Sequence, residues 1–109
     1  RLDFDLSQNA LVACNKRLKI RRIDITEKEG GGLCNVYLKQ NHEGSYVVYL
    51  NRENQGYDGS CAYPIRFKPN KEYIISSVSG DSSLEMSVFT NREGRIDSVS
   101  NQLGCLKED

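Results

Sequence analysis

The chain has no tryptophan, one methionine, one histidine and two prolines, and its 15 basic residues are cancelled by 15 acidic ones. Each shortage excludes something. With 38% apolar residues and no Trp, the core has to come from Leu, Ile, Val, Tyr and three Phe. A neutral balance argues against a general nucleic-acid binder, whose phosphate contacts need a basic excess. It also argues against purely electrostatic attachment to an anionic membrane. Apolar stretches such as residues 46–50 (YVVYL) fall far short of the ~20 residues of a spanning helix, so no membrane span is expected. A lone His42 and the lack of any Cys-x-x-Cys pair leave no zinc or dithiol redox signature, and no cofactor is expected. The sequence begins at Arg1 without Met, which is read as a processed chain that has lost a signal or lipid anchor. No Asn begins an Asn-x-Ser/Thr sequon. That tilts the expected compartment towards the bacterial periplasm or secretion.

What the sequence does have is four cysteines, Cys14, Cys34, Cys61 and Cys105, widely spaced in 109 residues. An even count at wide spacing in a small chain reads as two disulfides and an oxidising compartment, against the alternative of small buried thiols. Cys34–Cys61 with Cys14–Cys105 is the favoured pairing, the second bridge tying the two ends together. The other two pairings stay open. A bridge is worth about 2–4 kcal/mol, useful to a thin core.

The apolar pattern is mostly period two. Leu2, Phe4 and Leu6 alternate with acids, while residues 7–14 (SQNALVAC) fit either a helical turn or a strand. Leu18 and Ile20, then Ile23 and Ile25, change phase at Arg21-Arg22, which predicts a β-bulge there or a short break between strands. Cys34, Val36 and Leu38 lead through Asn41-His42-Glu43-Gly44 to Tyr46, Val48 and Leu50, the pattern of a hairpin. Residues 51–60 (NRENQGYDGS) predict a loop, and residues 61–67 an edge or bent strand around Pro64. Tyr73 and Ile75, then Leu84, Met86 and Val88, then Ile96 and Val99 follow, separated by turns at residues 79–82 and 91–94. Strands at this spacing predict one mainly β domain over residues 1–109, a small antiparallel β-sandwich or barrel of about seven or eight strands.

Catalytic candidates are thin. His42 could pair with Ser45 under orientation by Glu43, but neighbours in a turn rarely converge on one another. Asp3, Asp5, Asp24, Asp58 and Asp81 could supply paired carboxylates. Asp3 and Asp5 read as the wet face of a strand, and Asp58 and Asp81 adjoin glycines, where turn chemistry explains them. Recognition candidates are stronger. The basic run Lys16, Arg17, Lys19, Arg21 and Arg22 reads as the solvated face of a strand or as a surface for an acidic partner. The segment 51–63 carries Arg52, Tyr57, Asp58 and Tyr63, residue types common at protein interfaces and expected on loops held by a rigid scaffold. Its plainer reading is a connecting loop with Tyr63 packed inward.

The stretch Phe67-Lys68-Pro69-Asn70-Lys71-Glu72-Tyr73-Ile74-Ile75, preceded by Cys61 and followed by Gly80-Asp81 and by Thr90-Asn91-Arg92-Glu93-Gly94-Arg95-Ile96, resembles small periplasmic immunity lipoproteins that protect bacteria from toxins of the type VI secretion system. It covers about a third of the chain. The resemblance implies a β-sandwich that binds one toxin and blocks its active site; it assigns no residue. The lipid-bearing cysteine that begins such proteins has no counterpart here, which fits a trimmed anchor. The sequence therefore points to a non-enzymatic binder of a toxin or enzyme. The alternatives are a secreted or cell-surface adhesive or ligand-binding module and a small secreted enzyme using carboxylates.

Overall fold

Period-two alternation becomes nine antiparallel strands in the computed structural model, which describes residues 2–14, 17–79 and 82–100. They are β1 (Leu2–Asp5), β2 (Ala10–Ala13), β3 (Arg22–Glu27), β4 (Gly31–Leu38), β5 (Val47–Tyr49), β6 (Tyr57–Gly59), β7 (Glu72–Ser79), β8 (Ser82–Thr90) and β9 (Ile96–Val99). Two sheets result, one of three strands ordered β1-β2-β5 and one of six ordered β6-β4-β3-β7-β8-β9.

Both sheets contribute to one core. Phe4, Leu11, Ala13 and Val48 from the smaller sheet join Ile23, Ile25, Val36, Tyr73, Ile75, Met86 and Val88 from the larger. In β3, β7 and β8 the alternation predicts the buried face directly, since alternate side chains point to opposite faces. β2 does not alternate, because both its faces are covered: Ala10 and Leu11, on opposite faces, are fully buried. That is why its sequence fits helix and strand equally well. The two buried polar residues of the sheets, Ser77 and Thr90, are bonded: Ser77 donates its hydroxyl to Arg22 O (3.0 Å), and Thr90 Oγ1 donates to Lys68 O (2.7 Å) and accepts from Lys71 N–H (2.9 Å). A buried hydroxyl left unpaired would cost about 1–3 kcal/mol. The buried Asn9 Oδ1, by contrast, has no partner among the described residues.

Several expectations need correction. The alternating segments on either side of residues 41–44 do not form a hairpin with each other. β4 pairs with β3 and β6, whereas β5 pairs with β2 in the other sheet. The change of phase at Arg21-Arg22 is a break and not a bulge: Ile20 makes an isolated bridge to Ser45, and β3 starts at Arg22. The bulge lies on β4, where Ile25 pairs with Cys34 and Thr26 with Gly32, so that Leu33 is the extra residue. Residues 61–67 form no strand, although Ile65 N–H reaches Leu50 O at 3.0 Å. The segment 51–60 is not all loop, since it ends in β6.

One disulfide is seen, Cys34–Cys61, with Cα atoms 4.8 Å apart. The proposed Cys14–Cys105 bridge involves Cys105, which lies outside the described residues, as do Lys16 and Asp81. No cysteine among the described residues is free. No helix among them is long and apolar enough to cross a membrane.

Candidate functional site

Among the described strands the chain crosses between the sheets three times, from β2 to β3, from β4 to β5 and from β5 to β6. All three crossings meet at Tyr57. Its hydroxyl donates to Ile20 O on the first crossing (2.5 Å) and accepts from Ser45 N–H on the second (2.9 Å), while Tyr57 itself ends the third. Ile20 N–H also donates to Ser45 O at 3.0 Å. Burial pushes the Tyr57 phenol above its ordinary pKa, with the Ser45 backbone contact opposing the shift. The connections are thus pinned to one another. Where loops leave a packed scaffold in this way, binding groups gather.

Two adjoining grooves open between the crossings. The first, about 600 Å³, is walled by residues 42–45 on one side and 52–57 on the other, with Val47 and Tyr49 between. Asn54 organises it. Its side-chain amide accepts from Tyr49 N–H (2.7 Å) and donates to Tyr49 O (2.9 Å), pairing with that residue as a neighbouring strand would. It also donates to Arg52 O at 3.3 Å. The Arg52 guanidinium then lies 3.8 Å from the centroid of the Tyr49 ring. A guanidinium stacked on an aromatic face keeps its in-plane donors available to an incoming carboxylate or carbonyl.

The second groove, about 430 Å³, lies between residues 17–21 and 38–43. Arg17, Lys19, Arg21 and Lys39 line it with one carboxylate, Glu43, and with Leu18, which is 50% exposed. Lys19 sits 3.7 Å from Glu43 and 5.8 Å from the Tyr46 ring centroid. His42 and Glu43 line both grooves and form the ridge between them.

The structure thus brings Arg52 and Tyr57 to one groove, and Lys19 and Arg21 to the next. It places Arg22 and Asp58 elsewhere. Arg22 and Asp58 both pair with Tyr37 across the ladder and share one row of the larger sheet. The Arg22 guanidinium grips Asp24 through two bonds of 3.0 Å, which raise its already high pKa. Asp58 accepts from Gly59 N–H at 2.9 Å. Tyr63 packs against the core, and burial raises its phenol pKa against a weak Asn54 contact at 3.5 Å.

The other carboxylates also have local work. Asp5 accepts from the Ser7 hydroxyl (2.7 Å) and Gln8 Nε2 (2.7 Å), which holds its pKa below the ordinary value. Asp3 accepts from Phe4 N–H at 2.7 Å. Ser45 Oγ accepts from Val47 N–H at 3.0 Å, and Glu43 faces Lys19, so both are engaged away from His42. Among the described residues no three of His, Cys, Asp and Glu gather as metal ligands.

Sequence reasoning missed Asn54, Tyr49 and Lys39. Asn54 had one signal, an Asn in a polar connection where side-chain amides replace backbone partners. Lys39 had none, because its closeness to Arg21 depends on the β3–β4 pairing. No family model matches the chain, and no curated protein and no solved structure is similar enough to count as a match.

Proposed function

We propose that this chain is a non-enzymatic protein-binding module, an immunity protein or inhibitor that acts in the periplasm or outside the cell by covering a site on a toxin or enzyme. Arg52 carries the reading: an exposed guanidinium stacked on Tyr49, fixed through Asn54, at the edge of an open groove. A pre-ordered Arg loses little freedom on binding and is a frequent centre of interface energy. The Cys34–Cys61 bridge supports the extracytoplasmic assignment. The immunity reading in particular rests on the resemblance carried by residues 67–96. A second reading, a secreted or cell-surface ligand-binding module, is favoured by one observation: the groove's volume of about 600 Å³ falls in the range of small-molecule sites.

The test is capture under non-reducing conditions from extracts of the source cells. A stoichiometric protein partner is expected to bind the native chain. Truncation of an interface anchor of this kind costs about 2 kcal/mol or more, so Arg52→Ala should weaken the complex at least about thirtyfold. A partner indifferent to Arg52→Ala, or no protein partner, would remove this reading.

A further inference from the structure

We infer that the second groove is a docking trough for an acidic peptide segment of the partner, one that carries an apolar side chain to cover Leu18. The inference rests on the protein-binding reading, but it concerns a different groove and can fail separately.

Three observations carry it. The first is charge placement on a chain of zero net charge. Among the described residues outside the trough three cations stand beside carboxylates, Lys28 near Glu72 (3.3 Å), Lys68 near Glu27 (3.4 Å) and Arg22 on Asp24 (3.0 Å), and the other cations do not cluster in one groove. In the trough Lys19, Arg21 and Lys39 share the single lining carboxylate, Glu43, and Arg21 and Lys39 make no ion pair with any described residue. The second is Leu18, half exposed in the middle of those charges. Charge alone would attract any polyanion; an apolar side chain at the centre fits a peptide better than a sugar chain. The third is rigidity. Leu38 N–H donates to Arg21 O at 2.8 Å and Ile20 N–H to Ser45 O at 3.0 Å, so both walls are fixed before a ligand arrives. Glu43 is 94% exposed and holds Lys19 only at 3.7 Å. An exposed pair of this kind is weak and is easily exchanged for a ligand carboxylate.

The test uses the disulfide-intact chain and two probes of similar charge, a synthetic twelve-residue Asp/Glu peptide with a central Leu and a sulfated oligosaccharide. Binding is measured by fluorescence anisotropy at low and at physiological salt. The peptide should bind, and Arg21→Glu or Lys39→Glu should weaken it about tenfold or more at low salt, less at high salt. Leu18→Ser should weaken it several-fold at both salt concentrations. Glu43→Gln should tighten it, since the internal competitor is gone. Lys71→Glu, at the far end of the larger sheet, should leave it unchanged. Thermal melts of each variant separate lost binding from lost folding. Oligosaccharide binding indifferent to Leu18 would replace the peptide with a general polyanion and overturn the inference. Binding of neither probe would overturn it outright. Loss of the Arg52-dependent partner with the peptide still bound would sink the proposed function instead.

Discussion

Tyr57 is where residue chemistry has the widest reach. Its hydroxyl, carried on the third crossing, bonds to the other two, so its removal should be felt in both grooves. Tyr57→Phe leaves Ser45 N–H without its acceptor and Ile20 O without a donor. A cost of about 1–3 kcal/mol is expected, measured by urea unfolding. The same residue predicts alkaline behaviour. Burial raises its pKa above the ordinary 10.0, as it does for Tyr63. A phenol that resists ionisation in the folded state contributes stability that is whole below the unfolded pKa and is lost as pH rises through the folded one. Stability should therefore fall from about pH 10 upward, and the fall should be shallower in Tyr57→Phe. An unchanged alkaline limb would mean that this hydroxyl is solvated. The sequence marked Tyr57 out only as a residue type common at interfaces. Its partner at Ile20, 37 positions away, was not legible, because nothing in the local pattern records that contact.

At the scale of elements, β6 depends on closeness that only glycine allows. A Cβ on Gly59 would lie 2.2 Å from Asn35 O, and its φ of 139° is one that other residues rarely adopt. Around it Ser60 and Cys61 N–H both donate to Asn35 O (3.0 and 3.2 Å), Asn35 N–H donates to Ser60 Oγ (3.0 Å), and Cys34 is bonded to Cys61. Gly59→Ala should detach β6 from β4. Hydrogen exchange at residues 57–61 would show it, and protection retained there would contradict this account. The Cys34→Ser/Cys61→Ser pair should cost about 3–4 kcal/mol by the chain-entropy argument for a separation of 27 residues, again read from urea unfolding.

Elements were unevenly legible. β7 and β8 alternate cleanly because Tyr73, Ile75, Met86 and Val88 face the core and their neighbours do not. Alternation reports which face is buried and is silent about which strand lies alongside. That is why Val36 and Val48, both fully buried on alternating segments, looked like hairpin partners yet belong to different sheets. The bulge at Leu33 was hidden by Gly31 and Gly32, which carry no side chain to mark a face.

For the whole molecule, the connections that turn out not to be hairpins, including the one at residues 41–44 that looked like one, are those that line the two grooves. A hairpin stays within a sheet and leaves a short turn; a crossing must span from one sheet to the other and leaves a groove beside it. Three crossings at one place gather groups from residues 17–21, 39–45 and 52–57, and no local stretch of sequence announces that union. It also concentrates charge. The chain has no net charge and a pI near 6.8, yet Arg17, Lys19, Arg21 and Lys39 share one trough. Field from clustered charges survives at short range even when the total vanishes. At pH 6.8 and low salt, the protein should therefore be held by a cation exchanger. Two double variants of identical net charge separate placement from total. Arg21→Glu/Lys39→Glu removes cations from the trough, and Lys71→Glu/Arg95→Glu removes exposed cations outside it. Retention should be lost much more completely in the first than in the second. Equal losses would mean that the basic residues act as scattered surface charge, and that the two grooves differ in shape but not in field.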